Sequence, residues 1–167
     1  DYPHLIVRYR AQILEATTFV PQKIENLSIP GDTVLADAQE WKGSHDPLFL
    51  VQWDSYKDSK NGYYYTIELV DAYAVATDSS AALNGMSSHM TYETSFKLWP
   101  TWVVQYYGRH KITVYNTTPE FAYLNNFGIE DSRNLQGFPS NIENGLGIFA
   151  AFNCDSTFFY VIPKEGE

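Results

Sequence analysis

The sequence predicts an all-β fold, most closely an antiparallel β-barrel of about eight strands with one short helix. In Tyr63–Ala76 the odd positions carry large apolar side chains, interrupted only by Asp71, and the even positions include Thr66, Glu68 and three alanines, the period of a strand with one buried face. The last third holds two runs, Leu146–Phe152 and Thr157–Ile162, that are apolar on both faces and favour a closed barrel. The 167 residues and 44% hydrophobic content fit one β-rich domain, 1–167, with a sizeable core.

The first strands are expected in the N-terminal third. Leu5–Val20 is rich in β-branched and aromatic residues and predicts one long or bent strand that ends at Pro21. Asp32–Trp41 fits a short strand and a helical turn equally well. Leu48–Trp53 predicts the next strand, and the polar loop after it ends at an Asn-Gly pair.

The longest predicted strand needs a bend. At about 3.3 Å per residue, Tyr63–Ala76 would span roughly 45 Å, so we expect a bend or bulge at Val70 and Asp71. The segment Thr77–Thr94 is polar and built of small residues, which predicts a mobile surface loop or a lid over a binding site.

Three local signals follow in the second half. Ser95–Leu98 predicts a short strand. Glycine at the first position of Gly108-Arg109, between the apolar runs Trp102–Tyr107 and His110–Asn116, predicts a type II′ hairpin. Threonine followed by proline predicts a helix over Pro119–Asn126.

The C-terminal segment should close the sheet. Its two apolar runs predict a β-hairpin whose turn centres on Cys154 and Asp155. Just before it, two alternate glycines beside an asparagine in Asn144–Gly147 indicate positive φ and close backbone approach, which predicts a structural role.

A β-sandwich is the alternative to the barrel. Ile24–Leu27, Val51–Asp54 and Tyr63–Ile67 look like the first half of a fibronectin type III domain of immunoglobulin-like architecture. In that arrangement Trp53 would be the buried tryptophan of the sheet.

Composition excludes several classes of partner. With 20 acidic and 11 basic residues the net charge is −9, which argues against nucleic acid and against an anionic membrane surface. A single cysteine, Cys154, excludes an internal disulfide and gives no zinc motif. No run approaches the roughly 18–20 apolar residues of a transmembrane helix. The first residue, Asp1, is compatible with a removed leader and hence with export.

No motif in the sequence predicts an enzyme, a bound metal or a cofactor. The spacing of the histidines does not match a metal site: His4, His45, His89 and His110. The serines considered as nucleophiles do not lie in a GxSxG motif: Ser44, Ser55 and Ser88. The oxygen ligands Asp54, Asp58 and Asn61 depart from the spacing of a calcium loop. The weak candidates for a glycosidase pair are Glu40, Glu68 and Asp71.

Two segments carry a family resemblance. Ala16–Pro21 (ATTFVP) and Pro139–Phe149 (PSNIENGLGIF) resemble the paired signatures of an uncharacterised family of Bacteroidetes cell-surface lipoproteins, domains of unknown function often associated with TonB-dependent uptake systems. The resemblance implies a β-rich domain, export to the outer membrane or cell surface, and a lipid anchor on a cysteine upstream of Asp1. It supplies no catalytic residues.

The candidate binding site is a cluster of aromatic residues that follows the long polar segment. Flat rings beside polar groups suit stacking on sugars, and four rings lie close in sequence: Trp99, Trp102, Tyr106 and Tyr107. The sequence therefore predicts a surface-attached, non-catalytic binding domain for a glycan or another nutrient. Two alternatives remain: an interaction module of an outer-membrane assembly with a transporter partner and, ranked third, a glycoside hydrolase.

Overall fold

A computed structural model describes residues 2–36, 46–54, 62–71, 76, 86–100, 105–126 and 140–164. Strands dominate these residues, and one short helix, α1 (Pro119–Asn126), interrupts them, so the all-β prediction is confirmed. The strands are β1 (His4–Tyr9), β2 (Gln12–Thr17), β3 (Glu25–Ser28), β4 (Thr33–Ala36), β5 (Phe49–Asp54), β6 (Tyr63–Leu69), β7 (Met86–Thr91), β8 (Ser95–Leu98), β9 (Gly108–Thr117), β10 (Ile142–Glu143) and β11 (Phe152–Pro163).

The described strands form three open sheets. The large sheet has the order β4-β11-β9-β6-β7, the small sheet β3-β5-β8, and the N-terminal sheet β1-β2-β10. All pairs are antiparallel except β4 with β11, which run parallel. The barrel prediction is wrong for the described strands, because none of these sheets closes on itself.

The core lies between the large and the small sheet. Alternate residues of β11 and β9 point inward, and Phe159, Val161 and Ile112 are fully buried. Burying each such side chain contributes roughly 1.5–3 kcal/mol, which sets the register of the strand. From the small sheet Trp53 is buried as predicted and packs edge-on against Tyr63 of β6, with 5.1 Å between the ring centroids. The two sheets therefore have a sandwich-like arrangement.

The predicted strand over Leu5–Val20 is instead a hairpin. Strands β1 and β2 pair along their whole length, and the chain reverses at Arg10 and Ala11. Arg10 has φ 55°, the left-handed conformation that a tight hairpin turn requires. The sequence offered no glycine or asparagine there to mark the turn.

Strand β6 ends at Leu69, close to the bend that was expected at Val70 and Asp71. Part of the predicted loop Thr77–Thr94 is strand β7, which pairs with β6. Residues 72–75 and 77–85 lie outside the described residues. In the segment Asp32–Trp41, the described part contains strand β4.

The predicted hairpin turn at Gly108-Arg109 is wrong. Both residues lie in β9 and pair with Val161 and Tyr160 of β11. Gly108 does have φ 127°, but it accommodates the side chain of Asp71.

The predicted C-terminal hairpin is also wrong. Strand β11 passes without interruption through Cys154 and Asp155, which pair with Tyr115 and Val114 of β9. The thiol of Cys154 is exposed on this strand. The predicted strand Ser95–Leu98 and the predicted helix are both present.

The Asn144–Gly147 segment has a structural role, but positive φ and close backbone approach occur at different residues of the segment. Positive φ occurs at Asn144 and Gly147. Gly145 supplies the close approach, because an added Cβ there would collide with Cδ2 of Leu14 on β2. The amide of Asn144 donates to the carbonyl of Ile13 at 3.2 Å, so the segment is attached to the N-terminal hairpin.

Candidate functional site

The outer face of the large sheet carries the richest array of polar and aromatic side chains that the described residues bring together. Every second residue of β6, β9 and β11 faces the core, so the residues between them point outward. The register of the strands then places outward residues of neighbouring strands side by side in rows.

The central row consists of hydroxyl groups. Ser156 pairs with Thr113, Thr113 with Thr66, and Thr66 with Ser88, so four hydroxyls cross the sheet from β11 to β7. The two inner members are buried, Thr113 at 3% exposure and Thr66 at 7%, while the serines at both ends are exposed. The hydroxyl of Thr113 forms no hydrogen bond within the described residues. A buried hydroxyl without a partner costs about 1–3 kcal/mol, and a bound molecule would recover that cost only by displacing the atoms that cover Thr113.

On one side of this hydroxyl row lies a charged row. Phe158 pairs with Lys111, which pairs with Glu68. The Lys111 ammonium lies 3.9 Å from the Glu68 carboxylate, and both side chains are about one-third exposed. Such a pair holds its groups weakly and leaves them free to exchange for other partners. The Arg109 guanidinium covers the Phe158 ring at 3.8 Å from its centroid.

On the other side lies a row of tyrosines. Tyr115 and Tyr64 are neighbours across β9 and β6, and their ring centroids are 5.8 Å apart. Helix α1 packs against this end of the face, because Phe121 lies 5.9 Å from the Tyr64 ring and 4.7 Å from the Phe152 ring. Both tyrosines are half-buried.

Beyond the charged row the outer face becomes apolar. Leu35 of β4 and Ile162 of β11 are register partners, and Tyr160 lies two residues before Ile162 on the same face. All three side chains are exposed. We call these residues the apolar patch.

The carboxylates near this face are engaged in structural contacts. Glu68 pairs with Lys111, and Asp71 accepts a hydrogen bond from the backbone N–H of Arg109 at 2.6 Å. The third glycosidase candidate, Glu40, lies outside the described residues. No cluster of metal-binding side chains occurs in the described part of the chain. Of the predicted calcium ligands, Asp54 accepts a hydrogen bond from Asn26 at 2.7 Å, and the other two are not described.

The described histidines lie apart from the outer face or at the surface. His110 is buried and stacks on Phe159. His89 lies 5.4 Å from the Tyr65 ring, and burial lowers the pKa of its imidazole from the ordinary value. Burial also raises the pKa of Tyr65 to about 12. His4 is exposed and lies 3.8 Å from Glu15.

The described residues of the aromatic cluster predicted from the sequence lie between β8 and β9, outside the strands of both sheets. Trp99 directly follows β8 of the small sheet and is half-buried. Tyr106 forms an isolated bridge with Ala76, and Tyr107 packs against the core. Trp102 lies outside the described residues, so the site at these four residues stays a prediction.

One pattern in the sequence indicates the rows of the outer face. Thr66 and Glu68 occupy the even positions of the alternating strand, which marks them as outward residues. Their neighbours on β9 and β11 follow from the pairing register, which is not visible in any single strand.

Comparisons with protein-family models, curated proteins and solved structures find no match to this chain. Among the described helices, none is long and apolar enough to cross a membrane.

Proposed function

We propose that this protein is a non-catalytic binding domain that holds an oligosaccharide, or a similarly hydroxylated nutrient, on the outer face of its large sheet. The observation that carries the proposal is the buried, unpartnered hydroxyl of Thr113 in a row of hydroxyls. That row lies between the Lys111–Glu68 pair and the rings of Tyr64 and Tyr115.

This combination suits a sugar chain. Sugars offer alternating hydroxyls and C–H faces, so they bind surfaces that combine hydrogen-bonding groups with exposed ring faces. Lys111 can donate to a sugar hydroxyl and Glu68 can accept from one, since their mutual contact is weak. The exposed Ser88 and Ser156 extend the same row toward the two edges of the sheet.

We also propose an immunoglobulin-like sandwich as the finer fold. The strand order β4-β11-β9-β6-β7 opposite β3-β5-β8 supports it, because two sheets with this division of consecutive strands and a buried core tryptophan are features of that architecture.

The proposed setting is the outer membrane or cell surface, with a lipid anchor upstream of Asp1 and a transporter as partner. The resemblance of Ala16–Pro21 and Pro139–Phe149 to surface lipoproteins supports it. In cell fractionation the native protein should appear with the outer membrane, whereas a purely cytoplasmic distribution would contradict the proposal.

A second candidate is an interaction module of an outer-membrane assembly. The apolar patch of Leu35, Tyr160 and Ile162 favours it, because clustered exposed apolar side chains mark protein contacts. Loss of a co-purifying transporter on Tyr160→Ser, with glycan binding unchanged, would support this role for the patch.

The oligosaccharide proposal is tested by calorimetry with a panel of soluble oligosaccharides. Thr113→Val and Lys111→Met should weaken binding of a responding sugar by about tenfold or more, since each removes a hydrogen-bonding group on the outer face. Trp99→Ala, directly after β8 of the small sheet, is the matched control and should leave the affinity unchanged.

Three outcomes would contradict the proposal or move the site. No heat with any sugar argues against the ligand class. Weakening by Trp99→Ala alone would move the site to the aromatic cluster that includes Trp102. Cleavage of aryl glycosides or polysaccharides by the purified protein would replace the binding role with a hydrolase.

A further inference from the structure

Strand β1 is an open edge of the N-terminal sheet. It pairs with β2 through six consecutive residues without a bulge, and no described strand lies on its other side. The N–H of Thr18 donates to the carbonyl of Pro3 at 3.1 Å. In an antiparallel ladder every second residue from Pro3 therefore bonds to β2, so the N–H and C=O groups of His4, Ile6 and Arg8 point to the open side.

This edge lacks the usual protection. Exposed edges are commonly blocked by proline, lysine, a bulge or short length, whereas β1 has the sequence HLIVRY and a regular register. Its side chains are exposed on both faces, with Ile6 at 47%, Val7 at 45% and Tyr9 at 61%. An added strand would cover these side chains and satisfy the open backbone groups at the same time.

The charges at the edge are basic in a strongly acidic chain. Within the described residues neither Arg8 nor Arg10 has a carboxylate partner, and the Arg10 guanidinium lies 5.3 Å from the ring of Tyr9. The Glu15 carboxylate of β2 lies 3.8 Å from His4 rather than on an arginine, and Glu143 belongs to β10 on the far side of β2. These two local cations favour an acidic segment at this edge, although the chain as a whole has a net charge of −9.

The two faces of β1 differ in character. Leu5, Val7 and Tyr9 share one face, and Arg8 lies on the other with His4 and Ile6. A strand that alternates apolar and acidic residues would place its apolar side chains beside Val7 and Tyr9 and a carboxylate beside Arg8.

We propose that β1 binds an extended segment of a partner protein in which apolar and acidic residues alternate, and that this segment adds to the N-terminal sheet as its outer strand. The N-terminal sheet is separate from the rows of the large sheet, so this interaction is independent of the oligosaccharide proposal.

The test uses two capped, fluorescein-labelled peptides of about eight residues, one alternating valine with glutamate and one alternating valine with lysine. Fluorescence anisotropy of the full chain should show saturable binding of the glutamate peptide, weakened by salt, and little binding of the lysine peptide. In amide exchange, the N–H groups of His4, Ile6 and Arg8 should become protected on binding.

Two variants locate the contact. Ile6→Pro removes a donor that points away from β2, so the hairpin is retained while affinity falls by about tenfold or more. Ile6→Val keeps the donor and should bind normally. The double variant Arg8→Glu with Arg10→Glu should exchange the preference and bind the lysine peptide.

The proposal fails if the glutamate peptide does not bind, or if Ile6→Pro with an intact circular dichroism spectrum binds it as well as the wild type. Light scattering measures whether the chain forms a dimer. A dimer that Ile6→Pro dissociates would show that a second copy of this chain occupies the edge, which also overturns the proposal.

Discussion

The carboxylate of Asp71 accepts a hydrogen bond from the backbone N–H of Arg109 at 2.6 Å. One residue earlier, the N–H of Val70 donates to the carbonyl of Arg109 at 2.9 Å. The side chain of Asp71 therefore replaces a backbone carbonyl where β6 ends, and it extends the pairing with β9 by one hydrogen bond. Gly108 leaves room for this carboxylate, because a Cβ there would lie 2.6 Å from Oδ2 of Asp71.

Gly108→Ala should destabilise the fold. The added methyl meets the Asp71 carboxylate, and φ 127° is strained for any residue with a side chain. The expected loss in the free energy of unfolding is about 1–3 kcal/mol, measured by urea denaturation.

Gly31→Ala is the matched control, since a Cβ at Gly31 has no atom within 4 Å. It should be neutral or should stabilise by about 0.4–1 kcal/mol through the unfolded state. Equal denaturation midpoints for the two alanine variants would refute the role assigned to Gly108.

Gly145→Ala should loosen the contact between β2 and the segment after β10. The new methyl would collide with Leu14 Cδ2 and would lie 3.3 Å from Cγ2 of Ile142, at an expected cost of about 1 kcal/mol. Because the collision involves the end of one side chain, Leu14→Ala should relieve it. A double-mutant cycle by thermal denaturation should show a double variant more stable than the sum of the single losses. Strictly additive losses would show that the collision with Leu14 is not the cause.

Helix α1 and strand Ser95–Leu98 were predicted correctly, because short stretches of sequence determine both elements. Helix α1 begins where expected because the Thr118 carbonyl accepts the N–H groups of Phe121 and Ala122, at 3.1 and 3.2 Å, and Pro119 fixes the first turn. The short strand Ser95–Leu98, also predicted from the sequence, is present.

The errors share a non-local cause. Asn153 and Asp155 resemble turn residues, yet Asn153 donates to the carbonyl of Pro21 at 3.2 Å and keeps β11 extended. Gly108 was interpreted as a turn glycine, but the reason for its φ is Asp71, distant in sequence. The hydroxyl row around Thr113 depends on the register of neighbouring strands, which no single strand reveals.

Stability should fall as pH is lowered through the range in which an ordinary histidine takes up a proton, in part because of His89. Burial lowers the pKa of His89 in the folded chain, whereas in the unfolded chain it titrates near 6.5. Below about pH 6.5 the unfolded state binds more protons than the folded state, so the free energy of unfolding decreases as pH falls.

His89→Phe keeps an aromatic ring beside Tyr65 and removes this titration. Urea midpoints between about pH 7.5 and about pH 5.5 should fall less steeply for His89→Phe than for the wild type. The exposed His4→Gln is the control for the loss of a histidine elsewhere in the chain. If His89→Phe has the same slope as the wild type, the buried imidazole does not contribute.

The hydroxyls of Thr113 and Thr117 should have opposite effects on stability. Thr113 and Thr117 are both buried on β9, but only Thr117 has a hydrogen bond, from its hydroxyl to the Gly62 carbonyl at 2.9 Å. Thr117→Val removes this hydrogen bond, while the backbone N–H of Thr117 still donates to the same carbonyl at 3.0 Å, so the variant should be destabilised by about 0.5–1.5 kcal/mol. Thr113→Val removes an unpartnered polar atom and should be neutral or stabilising by up to about 1 kcal/mol.

Urea denaturation of the two valine variants measures this contrast without any ligand. A residue whose hydroxyl opposes stability is retained more readily when the hydroxyl contacts a ligand, because binding sites often sacrifice stability for function. A large loss of stability in Thr113→Val would show that its hydroxyl has a structural partner, and the main support for the oligosaccharide site would then be removed. If Thr113→Val is stable but no longer binds sugar, the hydroxyl row around Thr113 is part of the binding site.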